Sequence, residues 1–260
     1  MAKNLIKQWI DEQIVVGKKV IVDNTNKLFF NQNKRIPEGT LINTISGFDI
    51  SYDKFSNLAV AGLVVLEDCL ELNIVEPYVA GFLAMREIKP YLELFDKYKK
   101  SEKYIPPQLL FVDGNGVLHP RKCGIACTLG VCLDIPTLGV SKNFLQFEEN
   151  VNCSVKSVKE KFRKLFLKGI NEMDILGPYG YVYGKAITVP KTQNPVFVSI
   201  GNKVSLDLAV EAVKACSRYR ISEPIRQADI YTRQILSEKK TALNKQNELT
   251  DCANHKNNTE

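Results

Sequence analysis

Four apolar residues in a row, Leu109-Leu110-Phe111-Val112, run into an acid, Asp113, and a Gly-Asn-Gly turn. A run this short and this apolar is a strand buried on both faces, which requires helices on either side of its sheet. Asp113 then stands at the carboxyl end of that strand, where open α/β sheets bind their ligands. Gly114 and Gly116 permit a tight turn and close backbone approach. The pair does not complete the G-x-G-x-x-G fingerprint of dinucleotide binding. His119-Pro120-Arg121 follows, and Pro120 suits the first position of a helix over 121–133.

The flanking pattern extends this sheet. Residues 44–52, 57–67 and 70–78 read as three strands joined by short turns, so as an antiparallel meander. A helical stripe of Ile88, Tyr91, Leu92, Phe95 and Tyr98 comes next, with Pro90 in its first turn or at a kink. Further strands are expected at 136–141, 181–189 and 195–200. Residues 150–176 read as a basic helix followed by a loop. Helices are expected over 205–219, with Ser205 as N-cap, and over 223–236. Leu5, Ile6, Trp9, Ile10 and Ile14 mark an amphipathic helix near the start. The sum is an α/β fold, a mixed central sheet flanked by helices. One domain is expected over 1–236. Residues 237–260, polar with few apolar anchors, are expected to be disordered.

Composition excludes several classes. Lys+Arg 35 against Asp+Glu 29 gives +6, a mild excess that favours an anionic partner. The seven Cys form no C-x-x-C pair, which argues against a zinc site and for buried thiols in a reducing compartment. No signal peptide is visible at the start. The longest apolar run, Leu58 to Leu66, is far short of the ~20 residues that span a bilayer. A soluble monomer is expected, in the cytoplasm, with the nucleus or nucleolus as further compartments. The two His, His119 and His255, exclude chemistry built on a His pair unless the tail folds back. No G-x-S-x-G elbow accompanies His119.

The acids carry the remaining signal. Asp49 lies inside a strand, where propensity disfavours it, so it faces solvent, a base or a metal. Glu87 beside Arg86 fits a surface ion pair, and Asp229 alone fits a solvated helix. Together with Asp113 they supply the carboxylates that two-metal phosphoryl transfer requires. Nucleases of the ribonuclease H type build such a site from a three-stranded meander followed by βα units.

The strings SGFDISY, EPYVAGFLAMRE, LLFVDGNGVLHPRKCGIACTLGV, DIPTLGVSKN, VSIGNKVSLDLAV and RISEPIRQAD, in this order, closely resemble endonuclease V across most of residues 45–236. VDGNGV and EPIRQAD look most like the animal branch. The resemblance implies a ribonuclease H-like fold and assigns roles. Asp49, Asp113, Glu87 and Asp229 match the metal-binding and catalytic acids, Asp229 standing where bacterial members often carry His. His119 matches the histidine near the second metal or the leaving oxygen. Lys142 matches a lysine that steadies phosphate charge. Tyr78 matches the aromatic of a wedge that replaces a stacked base; Ala80 stands where bacterial relatives usually have a second Pro. Gly81, Leu83, Gly114, Gly116, Gly124 and Ile125 match the base pocket, with Arg121 beside it.

The implied activity is Mg²⁺-dependent cleavage, with Mn²⁺ able to substitute, at the second phosphodiester 3′ to inosine in single-stranded RNA. Deoxyinosine-containing DNA is the alternative substrate, and a silent inosine-RNA binder is the alternative outside catalysis. The basic stretch Lys156 to Lys168 fits either a phosphate track or a solvated helix face.

Overall fold

The computed structural model describes residues 2–22, 28–29, 40–42, 44–53, 58–64, 68–73, 79–145, 155–189 and 192–256. Helix α1 (Ala2–Gly17) precedes a short parallel pair, β1 (Leu28–Phe29) with β2 (Thr40–Leu41). The meander follows as β3 (Ile45–Tyr52), β4 (Leu58–Val64) and β5 (Asp68–Asn73). Then come α2 (Leu83–Lys99), β6 (Leu109–Asp113), α3 (Ile125–Leu133), β7 (Thr137–Ser141), α4 (Val155–Phe166), β8 (Glu172–Leu176), β9 (Val182–Ile187), β10 (Val196–Asn202), α5 (Leu206–Ala215) and α6 (Glu223–Lys256).

Eight strands form one mixed sheet in the order β5-β4-β3-β6-β7-β10-β9-β8. The meander pairs antiparallel, whereas β3, β6 and β7 run parallel. The run at 109–112 is therefore central, and all four of its residues are buried. One sheet face packs Phe48, Leu110 and Val112 against Tyr91, Leu94 and Phe95 of α2 and Ala126 and Leu129 of α3. On the same face, Phe197 meets Val158 and Phe162 of α4. The other face carries Leu109, Phe111, Leu138 and Val198 against α5 and Ile225 of α6. Among the described residues no helix is long and apolar enough to cross a membrane.

Several expectations shift. Residues 74–78, the end of the third expected strand, lie outside the described residues. The helix expected over 121–133 starts at Ile125, because Lys122 takes a left-handed φ of 51° and Gly124 N–H donates back to the Gly116 carbonyl. Pro90 lies well inside α2, where it leaves the Arg86 carbonyl without its helical donor. The loop expected before 176 is strand β8: Met173 and Ile175 point inward, while Glu172 and Asp174 meet Lys185 of β9. The buried face of α1 carries Trp9 and Gln13, one turn apart, while Leu5 and Ile14 are exposed. The segment expected to be disordered continues α6 as far as Lys256. It has no Gly or Pro to stop a helix, and Lys240 forms an ion pair with Asp53 at the end of β3.

Helix α6 crosses β3 at very short range. A Cβ on Gly47 would stand 2.2 Å from the backbone of Pro224, so backbone rather than a flexible side chain would have to yield. Gly47→Ala is expected to destabilise the protein by about 3 kcal/mol, read as a lowered denaturant midpoint. An unchanged midpoint would show that α6 can lift off β3 at no cost.

Candidate active site

The parallel register builds the centre of the site. Phe48 pairs with Val112, so the next residues, Asp49 and Asp113, stand side by side on strands ~4.8 Å apart. Asp49 shares its side of β3 with Gly47 and Ser51, and therefore faces α6. Ser51 Oγ lies 2.7 Å from Thr232 Oγ1. Asp229, three residues before Thr232 on α6, shares a hydrogen bond with Asp49 and accepts from Arg233 Nε at 2.7 Å. Glu87 comes from α2, on the opposite side of the sheet. It is buried and accepts from the Tyr52 hydroxyl at the end of β3. The surface ion pair that Arg86 suggested is not its role. Lys142, just past β7, places Nζ 3.3 Å from Asp113 Oδ2.

Asp49, Glu87, Asp113 and Lys142 line one cleft of about 410 Å³ with Gly114, Asn115 and Phe144. Burial, and then the charges of Asp113 and Asp229, push the Asp49 carboxyl up to about 9. Burial likewise pushes Glu87 up to about 7, against the Tyr52 hydrogen bond that favours its charge. Three acids beside one cation along the wall thus resist full ionisation, and a bound cation would relieve that cost. The donors are all oxygen, which suits a hard ion such as Mg²⁺ or Mn²⁺. Among the described residues no three His, Cys, Asp or Glu side chains are already closed on one point. The fit is thus one of donor chemistry and position, not of a finished cage.

A second, smaller pocket of about 80 Å³ adjoins the cleft and shares Leu83, Asn115 and Leu145 with it. Gly81, Ala84, His119, Gly124, Ile125 and Gln13 complete its wall. The glycines are there for closeness: a Cβ on Gly124 would stand 2.1 Å from the Asn115 carbonyl oxygen, and one on Gly116 1.9 Å from that of Ile200. Gly114 and Gly81 also have positive φ, 149° and 80°.

His119 belongs to this pocket and not to the cleft. Its Nε2 lies 2.9 Å from the Gly81 carbonyl, and its Nδ1 accepts from the Arg121 backbone N–H at 3.3 Å. An oxygen acceptor on one side and an N–H donor on the other fix a neutral ring protonated at Nε2. Burial, and then the Arg121 charge, hold its pKa down to about 4. Arg121 and Gln13 donate to the same Gly81 oxygen, and Arg121 also donates to Gln13 Oε1. Three side chains thus hold the carbonyl that precedes α2. Tyr78, the expected wedge aromatic, lies outside the described residues. The basic residues of α4, Lys156 to Lys164, point outward from its buried Val158 and Phe162.

Sequence reasoning missed Gln13, Tyr52 and Arg220. A Gln one turn from a Trp on an amphipathic helix was the available signal for Gln13. Arg220 donates to the carbonyls of Lys142 and Pro195 and so anchors the end of β7, with no local sequence cue.

Comparison with known proteins matches this geometry. A family model for endonuclease V matches residues 25–230. Human endonuclease V is 39% identical over 237 residues, covering 87% of this chain and 81% of that protein. The crystal structure of the human protein superposes with a TM-score of 0.75 at 35% identity, covering 90% of this chain and 99% of that one. A Ciona intestinalis endonuclease V, in complex with a 24mer DNA containing an inosine followed by a ribo-adenosine, superposes with a TM-score of 0.82 at 32% identity. It covers 90% of this chain and 99% of that one. The sheet, with an acid inside β3 beside one at the end of the parallel strand β6, is ribonuclease H-like, and the chain belongs to the endonuclease V family of nucleases.

Proposed function

We propose that this protein is a divalent-cation-dependent endoribonuclease that recognises inosine in single-stranded RNA and hydrolyses the second phosphodiester 3′ to it. The observation that carries this reading is the pairing of an acidic cleft with a small pocket across the shared wall of Leu83, Asn115 and Leu145. One compartment suits a phosphate with its cation, the other a base taken out of its stack. At about 80 Å³ the pocket has room for only two to three waters at ~30 Å³ each. A purine therefore enters with an outward shift of a wall side chain, such as Leu145, which the pocket shares with the cleft.

Asp49 and Asp113, with Glu87 and Asp229 around them, would hold the cation. The ion supplies Lewis acidity toward the phosphate oxygens. Lys142 places a fixed positive charge beside Asp113, where negative charge grows on the phosphate. Helices α2 and α3 both begin without a side-chain cap. The N–H groups of Leu83 and Ala84 at the start of α2 and of Ile125 at the start of α3 precede the first intrahelical bonds and can donate to a carbonyl on the base. Hypoxanthine has one at position 6, where adenine has an amino group. The mismatch leaves buried groups unpaired and rejects adenine strongly. His119, neutral and with both ring nitrogens engaged, pins the Gly81 end of the pocket and shuttles no proton.

Support for RNA comes from the animal-like strings and from the ribo-adenosine that follows inosine in the ligand of the Ciona intestinalis relative. The test uses Mg²⁺ and four end-labelled single strands: inosine RNA, its adenosine control and the two DNA counterparts. Inosine RNA should be cut well above the rest, Mn²⁺ should substitute, and a chelator should stop the reaction. Preference for deoxyinosine DNA would make the protein a repair nuclease. Binding without cleavage in every strand would make it a silent reader of inosine.

A further inference from the structure

Asn115 is the middle residue of the Gly-Asn-Gly turn and lies on the wall shared by pocket and cleft. Its side-chain oxygen, Oδ1, is buried and accepts no hydrogen bond among the described residues. Folded proteins leave few such groups unpaired, and those that remain call for an explanation. Slack in the backbone does not supply one. The Asn115 carbonyl accepts from Ala126 N–H at 3.2 Å. Gly124 and Gly139 press on the same peptide so closely that Cβ atoms there would stand 2.1 Å from its oxygen and 2.9 Å from its carbonyl carbon. The unpaired oxygen is therefore presented from a fixed turn.

The same pocket lining carries the complementary groups. Leu83 and Ala84, both lining the pocket, begin α2, where no side chain caps the helix. Their N–H groups have no intrahelical acceptor. A lone acceptor and a pair of N–H donors thus belong to the lining of one pocket. Hypoxanthine presents the matching pair on adjacent ring positions, an acceptor at O6 and a donor at N1–H. Adenine presents the reverse, an amino donor at position 6 and an acceptor at N1.

We propose that Asn115 Oδ1 accepts the N1–H of the hypoxanthine base and that Asn115 is a specificity-determining residue against adenine. This rests on the inosine reading above and assigns its second base contact. With adenine bound, Oδ1 would face a ring lone pair while the α2 amides face an amino group, two buried mismatches instead of one. Guanine keeps both O6 and N1–H, so Asn115 does not reject it. Exclusion of guanine falls to the space around position 2.

The test compares the full chain with Asn115→Ala and Asn115→Asp on inosine RNA, adenosine RNA and RNA carrying an inosine analogue with C–H in place of N1–H. Asn115→Asp keeps an acceptor, and as a carboxylate it cannot turn an amide N–H toward adenine. The inosine-to-adenosine ratio of kcat/KM should fall at least about tenfold in Asn115→Ala and stay within about threefold of the parent in Asn115→Asp. The analogue should cost the parent protein what Asn115→Ala costs on inosine, and should cost Asn115→Ala nothing further. An unchanged ratio in Asn115→Ala, or an equal penalty from the analogue in parent and variant, overturns the assignment and leaves the inosine reading standing. No cleavage of inosine RNA by the parent protein overturns both.

Discussion

Asp49→Asn is expected to abolish cleavage and, in the presence of a chelator, to make the protein more stable. Both effects have one cause. Asp49 is only 6% exposed and stands between Asp113 and Asp229, and burial with those charges lifts its pKa to about 9. A carboxyl raised from its ordinary 3.8 binds more protons in the folded state than in the unfolded one across the interval between the two values. Its contribution to stability is therefore fully present below the unfolded pKa and declines as pH rises toward 9. Asn has the same shape and no charge. At pH 7.5 the variant should gain about 1–3 kcal/mol, or roughly 2–10 °C in melting temperature, and its melting temperature should fall less with pH. Cleavage should drop by at least about 10³-fold, since the cation loses a central ligand. Asp113→Asn should lose as much activity but gain less stability, because Asp113 is half-buried and already faces Lys142. A variant that cuts normally would remove Asp49 from the site. One that loses both activity and stability would show that the carboxylate is structural.

How much of this was legible depended on how local each signal was. Asp113 announced itself because four apolar residues and a glycine turn frame it within one strand. Asp49 was visible as an acid in an otherwise regular strand, and the parallel register then placed it beside Asp113. Glu87 and Asp229 carried no such local mark. Each sits on an ordinary helix, and they were found only through the ordered strings shared with a known family. The resemblance set His119 near the second metal or the leaving oxygen; its contact with the Gly81 carbonyl, 38 residues away in sequence, had no local cue. Gln13, 108 residues from Arg121, was beyond any pattern of spacing. Strand β8 was missed because the basic helix before it dominated the reading of 150–176, although Met173 and Ile175 alternate with charged residues. Over the tail, polarity argued for disorder, while the structure continues α6 to Lys256, where no Gly or Pro interrupts the helix.

Lys142→Met is expected to lower kcat by about 10²–10³-fold, and added Mg²⁺ should not restore it. Lys142 is the single cation among the residues lining the cleft, and two roles would explain its position. One is only to offset the acids; the other is to meet charge that develops on the phosphate. The two differ in sign toward the metal. A lysine 3.3 Å from Asp113 Oδ2 repels any cation bound by that carboxylate, so its removal should leave Mg²⁺ affinity equal or tighter. If neutralising the acids were its whole function, a second positive charge would substitute and high Mg²⁺ would recover the rate. The anchoring favours the phosphate role: Arg220 Nη2 donates to the Lys142 carbonyl at 2.7 Å and to the Pro195 carbonyl at 3.2 Å. That bond fixes where the ammonium emerges from β7, as charge stabilisation without reorganisation requires. Lys142→Arg should also fail to recover the rate, because a planar guanidinium spreads its charge where a compact ammonium concentrates it. Single-turnover cleavage of inosine RNA across a Mg²⁺ titration separates the cases. A rate that climbs back to the parent value at high Mg²⁺ would reduce Lys142 to a counter-ion.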